Sequence, residues 1–120
     1  MEKIKLTPEE LKRNLCQFTG TDGYHKFSPL SRLVITDGVK YLADKCGAFW
    51  LLDIIASVKS TEEFQVCKLV KNKTGNGAKF VIEDGNSNIV YTQKIPFTDF
   101  PLDEIEIWNT NGVILLPSEN

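Results

Sequence analysis

Apolar residues recur along this chain with two periods, and the change from one to the other falls near residue 60. Before it the spacing is helical. Thr7-Pro8-Glu9-Glu10 has the makings of a helix start, because Thr7 can cap, Pro8 suits the first turn and Glu10 completes a capping box. Leu11, Leu15 and Phe18 then lie on one face, with Gly20 at or just beyond the end. Residues 19–29, TGTDGYHKFSP, are rich in turn formers and read as a loop. Thr36 or Asp37 can cap a second helical region, with Val39, Leu42, Ala43 and Cys46 as its apolar stripe. Gly47 weakens or bends it, and AFWLLDIIASVK follows, apolar around most of its circumference. That segment is expected to be the central core element. One kinked helix and two separate helices both fit residues 36–59.

Beyond residue 60 the period falls to two. FQVCKLVK, AKFVIE and IVYTQKI read as strands, separated by NKTGNG and DGNSN. Pro96 and Pro101 bracket a loop, since proline cannot donate to a ladder. Glu104–Trp108 and Val113–Leu116 flank Asn109-Thr110-Asn111-Gly112, which predicts a second hairpin. Helices first and strands afterwards argue for an α+β fold: N-terminal helices packed on one face of a C-terminal antiparallel sheet, a meander of four to five strands. At 120 residues, with no low-complexity linker, residues 1–120 read as a single domain.

The net charge is only −2, so the molecule as a whole is not an electrostatic nucleic-acid binder. Its distribution is uneven. Residues 1–94 carry 14 basic and 11 acidic groups, whereas residues 95–120 carry no basic group and five acidic ones. The acidic end reads either as a solvated edge or as a face for a basic partner. Asp99, Asp103, Glu104 and Glu106, with Trp108 among them, are the candidate partner-binding residues. Phe97 and Phe100 either join that surface or close the core. Lys68, Lys71, Lys73 and Lys79 form a second candidate, a nucleic-acid contact patch, against the plainer reading of a lysine-guarded sheet edge.

Chemistry is sparse. His25 is a lone loop histidine with no partner in view. Asp53 interrupts the most apolar helix, so it must reach solvent, find a partner or line a site. A small enzyme built on Asp53, Tyr41 or His25 needs at least two of them to converge. No set of ligands suggests a metal, and no phosphate loop or dinucleotide fingerprint supports ATP, NAD or flavin, so the expectation is a non-enzyme without cofactors. Cys16, Cys46 and Cys67 cannot all pair, and Cys16 and Cys46 are expected to be buried thiols. The first residues do not resemble a signal peptide and no run can span a bilayer, so a cytoplasmic location without membrane contact is expected.

Three stretches carry a resemblance. They are Thr36-Asp37-Gly38-Val39 with Tyr41-Leu42-Ala43, then Trp50-Leu51-Leu52-Asp53, then the run from Ile95 to Leu102. With them, from about Leu11 to Glu119, the chain resembles an uncharacterised family of small bacterial proteins, a domain of unknown function found in chromosomes, plasmids and mobile elements. That resemblance brings no catalytic residues. It implies an interaction protein, because small motif-free proteins of mobile elements often act by binding a host protein. In size and character the chain is also similar to inhibitors of type VI, RNA-targeting CRISPR nucleases. The resulting expectation is an anti-CRISPR inhibitor whose partner is a CRISPR effector nuclease or its guide-RNA complex. The alternatives are a small RNA- or DNA-binding module and a small enzyme with a site near Asp53.

Overall fold

A computed structural model describes residues 7–27, 32–58 and 64–119. Ser28, Pro29 and Lys59 of the expected loop and helix, and the residues before Thr7, lie outside the described residues. Among the described residues, three α-helices, α1 (Pro8–Cys16), α2 (Asp37–Cys46) and α3 (Phe49–Ser57), accompany seven strands. These are β1 (Tyr24–His25), β2 (Val34–Thr36), β3 (Phe64–Lys71), β4 (Ala78–Asp84), β5 (Ile89–Ile95), β6 (Glu104–Thr110) and β7 (Val113–Leu115), followed by a 3-10 turn at Pro117–Glu119.

The helix starts follow local chemistry. At α1, Glu10 N donates to Thr7 Oγ1 at 3.1 Å and Thr7 N donates to Glu10 Oε1 at 3.2 Å, the reciprocal capping box. Thr36 caps α2, and Gly47 ends it with φ 61°, a left-handed turn that glycine adopts without strain. The region 36–58 is therefore two helices. α3 buries Leu51, Leu52 and Ile55 but leaves Phe49 and Asp53 exposed, so it covers the core with one stripe and is not enclosed.

The sheet differs from the expected meander. All seven strands form one sheet in the order β1-β2-β7-β6-β3-β4-β5. Two short strands precede α2, and β2 pairs in parallel with β7, so the sheet is mixed and larger than four to five strands. Two residues in β1 and three in β2 leave too short a period-two signal to read, and β1 lies inside the expected loop. The sequence neighbours β5 and β6 are also not paired. Residues 96–103 carry the chain past the ends of β4 and β3 instead. Phe100 and Leu102, at 1% and 2% exposure, anchor that crossing in the core. Thr98 N donates to Asn76 O at 2.7 Å and Lys71 N to Asp103 O at 2.8 Å, which ties it to the strand ends.

Alternation then sorts the side chains. Cys67 stands opposite Ile82 and Ile107, Leu69 opposite Phe80, and Ile35 opposite Ile114. These residues face the helices and form one core with Leu11, Leu15, Val39, Leu42, Leu51 and Leu52. The other face carries Val66, Lys68 and Val70 of β3 beside Trp108, Glu106 and Glu104 of β6.

Candidate functional site

Asp53, Tyr41 and His25, the residues of the alternative enzyme reading, have separate surroundings. His25 Nε2 lies 2.7 Å from Asp37 Oδ1, the partner that its sequence context did not reveal. Asp37 also accepts from Asp22 N at 3.0 Å, and its own N–H donates to Thr21 Oγ1 at 2.9 Å. The histidine first, and these donors with it, hold the Asp37 carboxyl below the usual carboxylate range. The cluster fastens the β1 segment to the first turn of α2. Tyr41 accepts from Asn14 Nδ2 at 2.8 Å and packs on Phe18, tying α1 to α2. Asp53 simply reaches solvent on α3. No group of histidine, cysteine or acidic residues suited to a metal occurs among the described residues.

The two charged candidates meet on the open sheet face. Lys68 stands opposite Glu106, and its Nζ lies 3.3 Å from Glu83 Oε1 across the neighbouring strand. Glu106 Oε2 accepts from Trp108 Nε1 at 2.8 Å, and the Trp108 ring meets Phe64 edge-on at 5.3 Å between centroids. Glu104 stands opposite Val70. Lys71 turns elsewhere and donates from Nζ to Phe100 O at 2.9 Å. Lys73 is exposed in the β3–β4 turn, and Lys79 pairs in register with Lys94 on β5. The four lysines therefore do not form one patch.

The acidic set is divided too. Asp103 and Glu104 are exposed at the start of β6, whereas Asp99 lies near Cys46. Burial, with the Asp99 charge second, pushes the Cys46 thiol up to about 11; burial alone pushes Cys67 up to about 12. Cys16, expected in the core, is exposed, because the apolar stripe of α1 runs through Leu11 and Leu15.

Beside Glu104 and Glu106 lies a groove of about 560 Å³. Lys12, Leu15 and Cys16 of α1 line it together with Lys68, Val70, Leu102 and residues 104–106 of β6. Its lining is mostly apolar, with two glutamates and two lysines among the lining residues. The groove depends on α1 lying beside β6, a long-range packing with no signature in either segment.

Glu119 was counted with the acidic end but has a structural place. Oε1 accepts from Thr36 Oγ1 at 2.5 Å and from Leu116 N at 3.0 Å, and Oε2 accepts from Gly38 N at 3.1 Å. A carboxylate thereby covers the positive end of α2. A Cβ at residue 38 would lie 2.7 Å from Glu119 Oε1 and from Leu116 Cδ1, so any larger residue would have to displace these side chains and the hydrogen bonds Glu119 makes.

The profile of a family of unknown function (DUF6876) matches residues 9–120, and the chain belongs to that family. No curated protein and no solved structure matches it at a significant level. No helix among the described residues is long and apolar enough to cross a membrane.

Proposed function

We propose that this protein is a non-catalytic binding module that engages a protein partner through the groove between α1 and β6. The observation that carries the reading is a groove lining that combines Leu15, Leu102 and Ile105 with Val70, Glu104 and Glu106 of the open sheet face. Apolar contact supplies affinity and flanking charge selects the partner. The acidic residues singled out as partner-binding, Asp103, Glu104 and Glu106, cluster at this end of β6. Asp99, Asp103 and Trp108 lie outside the groove lining. Nucleic-acid binding has less support, since Lys68 is beside Glu83 and Lys71 bonds to the backbone. The enzyme reading has less support again, because Asp53, Tyr41 and His25 have separate surroundings.

An RNA-guided nuclease is the partner class that the family resemblance and the acidic end suggest, within the cytoplasm. Capture of tagged protein from host lysate, with and without ribonuclease, tests this in parallel with the Glu104→Lys/Glu106→Lys variant. A defined protein recovered in both samples and lost with the variant supports the module; a CRISPR effector would bear out the finer reading. Recovery abolished by ribonuclease favours the RNA-binding alternative at Lys68, Lys71, Lys73 and Lys79. Recovery unchanged by the double charge reversal removes this surface from the account.

A further inference from the structure

The groove has a second property that its side chains do not reveal. β6 is paired along its whole length with β3, from Glu104 to Thr110. On its other side β7 pairs only with Trp108, Asn109 and Thr110. Among the described residues no strand pairs with the first half of β6 on that side; the 3-10 turn at Pro117–Glu119 packs near β6, and Glu104, Ile105 and Glu106 line the groove. Strand geometry identifies which peptide groups that half of β6 offers. Lys71 N donates to Asp103 O, so the peptide groups of every second residue from Asp103, including Ile105 and Ile107, turn towards β3. Those of Glu104 and Glu106 turn the other way. Among the described residues they find no hydrogen-bond partner there.

We infer that this edge accepts an extended segment of the partner protein as an added strand, a reading that rests on the binding module proposed above. The pairing in a sheet dictates what the segment looks like. Its side chains alternate between two faces. On one they meet Ile105, Leu102 and Leu15 and are apolar. On the other they stand beside Glu104 and Glu106 and are basic. Lys68 Nζ lies 3.3 Å from Glu83 Oε1, so that pair adds little net charge, and Lys12, the other basic residue of the lining, belongs to α1 and not to the edge strand. The occupant is thus an extended peptide with alternating Lys or Arg and apolar residues.

The other long edge, β5, is a poorer host for that segment. It is interrupted by a register shift opposite Ile82 and Glu83. Its neighbouring charges, Lys79 and Lys94, are basic and repel a basic strand.

The test uses the full-length protein and a synthetic peptide of four Lys-Val repeats. Amide hydrogen exchange is followed by NMR at low salt. Binding should slow exchange of the Glu104 and Glu106 amides at least tenfold. It should also shield the exposed Cys16 thiol from a maleimide. A peptide N-methylated on the residues facing β6, which cannot complete the ladder, should lose at least tenfold in affinity with the protein unaltered. Slowing along β5 instead, or equal binding of the methylated peptide, overturns strand addition. Binding that appears only after removal of residues 1–6 overturns the partner as occupant, since this chain's own Lys3-Ile4-Lys5-Leu6 would then be what fills the groove. If strand addition alone is wrong, captured partner is still lost with Glu104→Lys/Glu106→Lys; if the module itself is wrong, that variant changes nothing.

Discussion

The two halves of β6 are one continuous strand with opposite fates. Trp108, Asn109 and Thr110 are flanked by β3 and β7, and the turn after β7 returns Glu119 to the first turn of α2. Among the described residues, 104–107 pair with a strand on one side only, and residues 104–106 line the groove. The same alternation runs through both. What differs is the reach of β7, which is three residues long and ends where Leu116 leaves for the 3-10 turn. A strand of similar composition is thus sealed at one end and available at the other. Pairing completed by a neighbour, rather than strand propensity, decides which part of a sheet can take a partner.

The contrast can be broken most forcefully at the sealed end. Glu119→Ala removes an acceptor shared by three donors and strands the Gly38 and Leu116 amides, a loss of about 3 kcal/mol. Thermal unfolding followed by circular dichroism should show Tm falling on the order of 10 °C. An unchanged Tm would mean that the C-terminal turn is not what closes this half.

Thiol reactivity sharpens the comparison next. Cys16 lies at the open groove and is exposed, whereas Cys67 lies under the sheet. A thiol held at about 12 is ionised to roughly one part in ten thousand at pH 8, and burial blocks the reagent as well. Alkylation with iodoacetamide, read by intact mass, should therefore modify Cys16 at least about a hundredfold faster than Cys67, with Cys46 between them. Cys67 should react only when the protein is unfolded.

At the open end the effect should be on binding far more than on stability. Glu104→Lys/Glu106→Lys should reduce partner capture about tenfold, while Tm falls by only a few degrees, since Glu104 is exposed and the change at Glu106 gives up one bond from Trp108 Nε1 and sets a lysine opposite Lys68. A large fall in Tm would show that the two glutamates support the fold and would remove the contrast between the halves.

The smallest effect concerns the latch between β1 and α2. The Asp37 carboxyl titrates below its ordinary value of 3.8 in the folded protein. Its contribution to stability is therefore present above the unfolded value and is lost as pH falls through the lower, folded one. Melting curves between pH 6 and pH 2 should show a shallower acid decline for Asp37→Asn than for the parent. His25→Ala should do the same in part, since the histidine is the largest cause of the shift.

Much of the fold could be read from short stretches of residues. The capping box at Thr7 and Glu10, the stop at Gly47 and the turn at Asn111-Gly112 all behave as their local chemistry requires. At Asn111 and Gly112 the φ values of 52° and 87° are those of a tight hairpin. The alternation in β3 and β4 also marked the core, with Phe80 and Ile82 fully buried. Each of these depends on interactions among residues a few positions apart, so the sequence carries them openly.

The candidate site could not be read in that way. The acidic residues of β6 were visible as charges, but not the free edge beneath two of them. That edge exists because residues 96–103 lead β6 away from β5 and into the place beside β3. The parallel pairing of β2 with β7 likewise joins segments nearly eighty residues apart. Its two three-residue strands have no periodicity long enough to announce it. His25 found Asp37, and Glu119 found Gly38, for the same reason: contacts across long stretches of chain are chosen by how the whole core packs, not by their neighbours. Helix ends, turns and strand faces are local commitments of the backbone. Which strand lies next to which, and so where an edge is left open, is settled only when the layers close on one another.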